Sequence, residues 1–252
     1  MQANETRRGT SMEAILELKG ISKSFGGVKV IDDLSVSLFK GEALGVVGPN
    51  GAGKTTMLNL IMGAHRIDAG EILFEGRNLR NLPRYELPRH GIGRTYQVPR
   101  PFEGLTVFEN VLVGATHGRG AAERNSYDCA VQALERAGII DLANKVAGSL
   151  TLLNRKRLEL ARALAVEPRV LLLDEIAGGL TDAEVEVLIE TIRGLRDEGV
   201  SIIWIEHIVH ALLAVVDRLV AIDFGKKLCE GDPQDVICDP SVQQCYMGTV
   251  PV

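Results

Sequence analysis

No stretch of this sequence approaches the ~18 consecutive apolar residues of a membrane-spanning helix. The opening MQANETRRGTS also lacks the apolar core of a secretory signal. Cysteine is sparse. Cys129, Cys229, Cys238 and Cys245 show no C-x-x-C spacing and no clustering with histidine, which argues for free thiols in a reducing compartment rather than disulfides or zinc. An excess of basic charge is missing too: a net charge of −5 gives no electrostatic footprint for nucleic acid, so no nucleic-acid partner is expected. Internal repeats and low-complexity segments are absent. What remains is a chain of cytoplasmic type, whose dealings with a membrane would run through partners. Its 252 residues, 24% charged and 46% apolar, suffice for a full globular core.

Against that background one stretch stands out, GPNGAGKTT, which is Gly48-Pro49-Asn50-Gly51-Ala52-Gly53-Lys54-Thr55-Thr56. It fits G-x-x-x-x-G-K-[ST], follows the apolar run GEALGVV and precedes TMLNLIMG, which has amphipathic helical spacing. Strand, glycine loop and helix in that order are the context of a phosphate-binding loop. The glycines allow successive N–H groups to turn inward, and the helix N-terminus adds partial positive charge. Lys54 is expected to reach the β- and γ-phosphates, and the Thr55 hydroxyl to ligate Mg²⁺.

Along the chain, residues 1–12 are polar and expected to be a disordered tail. Strands are predicted at 14–20, around 34–38 from the alternation of Leu34, Val36 and Leu38 with serines, after a turn within 68–76 with Ile72 and Phe74 on one face, and at 92–96. Helical spacing is expected near 84–90, and a predominantly helical stretch runs over 106–147, clearest at 127–137. A long helix is predicted from about Asn154 to Ala165, then a fully apolar strand, VLLLDE, at 170–175. Thr181-x-x-Glu184 is a capping box opening a helix to about Arg196. SIIWIEH at 201–207 reads as another buried strand. A terminal hairpin around Gly225 and a short helix opened by Asp232-Pro233 complete the chain. Alternating strands and helices predict a mostly parallel sheet covered on both faces.

Asp174 and Glu175 end an apolar strand, where α/β sheets bind ligands. Beside a phosphate loop, one acid there suits Mg²⁺ and the other a polarised water. His207 ends the next apolar strand. It could reach a γ-phosphate from the same rim, but alone it reads more often as a structural or solvated histidine, and with His210 it lacks the further ligands a zinc site needs. Gln97, in RTYQVPRPF, is informative only through order and spacing. Phe25, in SKSFGG, reads either as an adenine-stacking ring or as a strand-end core aromatic.

Taken in order, these residues resemble the ATP-binding subunit of an ABC transporter over nearly the whole chain. The resemblance implies an α/β fold: a P-loop nucleotide-hydrolase core with a mostly parallel sheet, an antiparallel β subdomain, and a helical subdomain inserted at about 100–165. Residues 13–252 would form one ABC ATP-binding domain. It implies that Phe25 stacks the adenine, that Gly48 through Thr56 hold the phosphates with Lys54, and that Thr55, Gln97 and Asp174 serve Mg²⁺. Glu175 would be the general base and His207 the γ-phosphate sensor. GIGRTYQVPRPFEGLTVFENVLVG, RKRLELARALAVEPRVLLLDE and IEHIVHAL look most like importers of branched-chain amino acids and related small polar solutes. ATP and Mg²⁺ are then the expected cofactors. Transmembrane permease subunits and a solute-binding protein are the expected partners, and the inner face of the cell membrane the expected location. Lipid or lipopolysaccharide export and a soluble, non-transport ABC ATPase are the alternatives.

The resemblance fails at one place. The family's Leu-Ser-Gly-Gly-Gln signature is replaced by Leu150-Thr151-Leu152-Leu153-Asn154. Thr151 can still cap a helix, but Leu152 and Leu153 stand where glycines let the backbone approach a partner's γ-phosphate. Thr181 also stands where the family usually has aspartate. An asymmetric pair with a second, different ABC ATPase is the sharper expectation from these departures.

Overall fold

The computed structural model describes residues 13–119 and 123–247. The tail expected at 1–12 lies outside the described residues. Strands β1 (Ala14–Phe25), β2 (Val28–Phe39), β4 (Ala69–Phe74) and β5 (Arg77–Asn78) form an antiparallel sheet in the order β2-β1-β4-β5. The second sheet takes β3 (Ala43–Val47), β6 (Ile92–Arg94), β7 (Val170–Asp174), β8 (Ser201–Ile205), β9 (Arg218–Asp223) and β10 (Lys226–Gly231). Its order is β10-β9-β3-β8-β7-β6, parallel from β9 to β6, with β10 pairing antiparallel at the edge. This is the fold that the resemblance implied.

The parallel strands read as unbroken apolar runs because both of their faces are covered. Leu171, Leu173, Ile202 and Trp204 point into a core shared with helices α4 (Leu152–Leu164), α5 (Asp182–Asp197) and α6 (Val209–Val215). Val170, Leu172, Ile203 and Ile205 point the other way, into a core shared with α1 (Lys54–Ile61) and the antiparallel sheet. The period of two along each strand thus divides the interior into two cores. Between β6 and β7 the chain builds α2 (Val107–Arg119), α3 (Glu123–Arg136) and then α4, packed on one another. After β10 come α7 (Pro233–Cys238), with Asp232 as N-cap, and α8 (Pro240–Met247), which the sequence reading missed.

Several expectations change. Over 84–90 the only helical segment is a 3₁₀ turn at Pro88–His90, ended by Gly91 at φ +87°. Pro88 has no N–H to extend a ladder backward and Gly91 ends the turn, so no longer helix propagates. The first strand runs on to Phe25, and β6 stops at Arg94 rather than 96. Helix α4 opens at Leu152, two residues before Asn154, because the Thr151 hydroxyl accepts the Asn154 N–H and fixes the start there. No helix among the described residues is long and apolar enough to cross a membrane.

Candidate active site

Strand β3 delivers the chain into the glycine loop, and close packing explains two of its glycines. A Cβ on Gly48 would lie 2.1 Å from the carbonyl oxygen of Ile222 in β9. At Gly53, where φ is +102°, it would meet Ile31 Cδ1 at 2.7 Å and Val30 O at 2.8 Å. Helix α1 then starts with no side-chain cap, leaving its first N–H groups for whatever the loop holds. Lys54 is buried and donates to the carbonyls of Gly48 (2.7 Å) and Pro49 (3.0 Å). Burial pushes its pKa below the ordinary lysine value, against the opposing pull of Glu175 and Asp174. One flank of the loop, Pro49 to Ala52, borders a cleft of about 540 Å³ shared with Asp223, Phe224 and Cys245.

Asp174, at the carboxyl end of β7, is buried and shared between two elements. Its Oδ1 accepts from the Thr55 hydroxyl (3.2 Å), and its Oδ2 accepts from Arg94 Nη2 (2.9 Å). The next residue, Glu175, has φ +48°, a left-handed conformation costly for a side-chain-bearing residue. Its own N–H donates to Ile205 O (2.9 Å), and the turn throws its carboxylate toward the rim of the sheet. There Gln97 Nε2 donates to Oε2 (2.5 Å), and His207 Nε2 lies 2.6 Å from Oε1. Thr55, Asp174, Glu175, Gln97 and His207, scattered over more than 150 positions, are thereby linked by hydrogen bonds or by adjacency in the chain.

Phe25 sits at the turn between β1 and β2 with 41% of its surface exposed, which removes the core-aromatic reading. Its ring meets His65 edge-on at 5.0 Å, and Lys23 Nζ lies 5.4 Å from its centroid. In the signature region Leu150 is buried and Thr151 caps α4, while Leu152 is 44% exposed. Leu152 Cδ2 reaches to within 3.3 Å of where a Cβ on Gly179 would stand, so it lies against the loop that follows Glu175. Among the described residues, neither Phe25 nor residues 150–154 make a hydrogen bond or ring contact with the Glu175 set.

Sequence reasoning missed Arg94, Asn59, Glu206 and Lys156. Glu206, one residue before His207, is buried and accepts from Ala177 N (2.6 Å) and His207 N (3.2 Å), tying together the loops after β7 and β8. Burial raises its pKa. Lys156, on α4, is buried with its pKa lowered by desolvation and pulled back up by Glu206 and Glu175. The available signal was a charged residue inside or directly after an apolar run: IGR for Arg94 and IIWIE for Glu206.

The available donors suit a hard cation. The Thr55 hydroxyl, one Asp174 oxygen and the Gln97 amide oxygen, the atom of that side chain not turned to Glu175, are all oxygen ligands. No group of three or more His, Cys, Asp or Glu poised for a metal occurs among the described residues. A Mg²⁺ shared with substrate phosphates needs only one or two carboxylates. None of the four cysteines is in a disulfide.

A family model described as ABC transporter matches residues 31–178. The high-affinity branched-chain amino acid transport ATP-binding protein LivG of Escherichia coli is 33% identical over 251 residues, covering 94% of this chain and 98% of LivG. The corresponding protein BraF of Pseudomonas aeruginosa is 32% identical over 249 residues, covering 93% of this chain and 98% of BraF. Among solved structures, a nucleotide-free ATP-binding cassette from an ABC transporter is similar with a TM-score of 0.85 at 30% identity, covering 94% of this chain and 100% of that one. An ABC transporter cassette in its ADP conformation gives 0.86 at 30% identity, with 94% and 99% covered. The match in sequence and in fold therefore agrees with the phosphate loop and the strand-end carboxylates: the chain belongs to the ABC transporter family, as a nucleotide-binding, ATP-hydrolysing cassette.

Proposed function

We propose that this chain powers uptake of branched-chain amino acids or a related small polar solute through separate transmembrane permease subunits. It would lie on the inner face of the cell membrane, held there by those subunits, with a solute-binding protein supplying the ligand. The observation that carries this reading is the likeness to LivG over 94% of this chain and 98% of that one.

The roles are those the family resemblance implies, and the placement of the residues supports them. Phe25, exposed at its turn, stacks the adenine. The loop from Gly48 to Thr56 encloses the phosphates, and Lys54 exchanges its carbonyl contacts for phosphate oxygens. Thr55, Asp174 and Gln97 would hold Mg²⁺, which would supply charge neutralisation to the phosphates. Glu175 takes the proton of the attacking water as the water oxygen bonds to the γ-phosphorus and the bridging oxygen departs. His207, already at the carboxylate, steadies Glu175 and reaches the γ-phosphate from the same rim.

The partner ATPase is a second, different cassette. Leu152, exposed at the opening of α4, presents an isobutyl group where close backbone approach is needed, so this chain's signature makes a poor half-site. Its phosphate loop and Glu175 make a good one. Affinity purification of the tagged chain from native membranes tests the whole reading. Two membrane proteins, a second ATPase and a solute-binding protein are expected to co-purify. A membrane partner without a second ATPase would remove the asymmetry, and recovery only with soluble proteins would remove transport.

A further inference from the structure

Arg94 opens the RTYQVPRPF stretch but has been given no role so far, and it is one of the few buried charged residues among those described. Its side chain and that of Asp174 are each 3% exposed. The sheet register brings them together. Arg94 in β6 pairs with Leu172 in β7, and Asp174 lies two residues beyond Leu172, on the same face. That face looks onto α1. There Arg94 Nη1 donates to Asn59 Oδ1 (2.7 Å) while Nη2 donates to Asp174 Oδ2 (2.9 Å). Asn59 is four residues after Thr55, so the two share one stripe of α1. The guanidinium therefore spans from that stripe to the carboxylate, with Tyr96 4.9 Å away across its face.

Stability does not account for this arrangement. A buried ion pair is commonly no better than an apolar pair of the same volume, because both charges lose their hydration. Here the cost is greater, since Arg94 Nε is buried with no hydrogen-bond partner among the described residues. The arrangement does have a consequence for Asp174. Arg94 occupies Oδ2, so Oδ1 alone is turned to the Thr55 hydroxyl.

We propose that Arg94 is a positioning residue for the metal side of the site: anchored by Asn59, it fixes the Asp174 carboxylate so that one oxygen faces the Thr55 hydroxyl and Mg²⁺. This rests on the reading of Thr55 and Asp174 as the Mg²⁺ side of a nucleotide site. Lysine at 94 keeps the charge but not the fork, and reaches Asp174 or Asn59, not both.

The test is binding of a fluorescent ATP analogue to the full chain, measured in EDTA and then across a Mg²⁺ titration, with melting temperature read in parallel. For Arg94→Met the Mg²⁺ concentration at half-maximal effect is expected to rise about 10- to 100-fold, as when a metal ligand loses its outer support. Affinity in EDTA should stay within about twofold, since no phosphate contact is touched. Arg94→Lys and Asn59→Ala, which leave a charge beside Asp174, should shift the Mg²⁺ midpoint in the same direction by less. These two keep the test open if the methionine variant does not fold. A lowered melting temperature with an unmoved Mg²⁺ midpoint in the folded variants would make Arg94 merely structural and overturn the inference. Failure of the unaltered chain to bind the analogue at all would instead overturn the proposed function, and this inference with it.

Discussion

At residue 175 two requirements meet in one amino acid. The chain must turn sharply off β7 to bring the carboxylate to the rim, and it does so with φ +48°, where a Cβ is crowded. Activity and backbone comfort are therefore opposed, and two substitutions separate them. Glu175→Ala and Glu175→Gly both remove the proposed base, and ATP hydrolysis should fall about 10²- to 10⁴-fold in each. Only glycine also relieves the left-handed strain, so Glu175→Gly should be the more stable of the two by about 1 kcal/mol. Urea titrations of the pair decide it; equal stabilities would mean the turn is not strained. A neighbouring carboxylate gives a pH signature. Burial raises the pKa of Glu206, with the Ala177 and His207 N–H groups and Lys156 opposing. A raised folded-state pKa means stability that is present below the unfolded value of 4.5 and lost as pH rises through the folded value. Stability of the unaltered chain relative to Glu206→Gln should therefore decline from pH 4.5 upward. A difference that is flat or grows with pH would show that the N–H groups and Lys156 outweigh burial.

Among the elements, α5 shows how local chemistry fixes a boundary. The Thr181 hydroxyl accepts the Glu184 N–H while the Glu184 carboxylate accepts from the Thr181 backbone, the reciprocal box legible in the sequence. Thr181→Ala should cost about 1 kcal/mol in chemical denaturation. The Thr181 N–H and hydroxyl also depress the pKa of Glu184, so the carboxylate's share of the box is present above 4.5 and lost as pH falls. The gap between variant and parent should narrow in acid. Caps, glycine loops and apolar runs were readable because each is a contiguous physical device. The turn at Pro88–His90 was misread because helical spacing of apolar residues cannot show that a proline has removed the donor. Arg94 was invisible for another reason. Its partners Asn59 and Asp174 lie on α1 and β7, and only the strand order β7-β6 makes them neighbours. The same holds for Glu206 and Ala177. Phe25 was ambiguous because strand-end aromatics occur both inside and outside cores, and its exposure excludes the core.

On the scale of the whole molecule the features divide unevenly. The edge with the phosphate loop carries Asp174 and Glu175, the proposed metal-side acid and base, while the start of α4 carries Leu152 and Leu153 in place of glycines. If two such chains paired with each other, both composite sites would inherit the bulky half. In a pair with a glycine-bearing partner, one site is whole and the other weak. The two arrangements give different results in the assembled transporter. With a different partner, Glu175→Gln in this chain should remove nearly all ATP hydrolysis, because it disables the only strong site. Leu152→Gly with Leu153→Gly should then raise total hydrolysis, up to about twofold if the weak site becomes equal to the strong one. Glycine costs about 1 kcal/mol of helix propensity at each position, and neither exposed Leu152 nor half-buried Leu153 belongs to the buried core, so folding should survive the change. Leu152 also lies against Gly179, in the loop leading from Glu175, and trimming it frees that loop in the same chain. For that reason the double variant is best assayed with Glu175→Gln also present. Hydrolysis that reappears in that triple variant comes from the partner's phosphate loop joined to the repaired signature. If none reappears, the leucines were not what limited the second site.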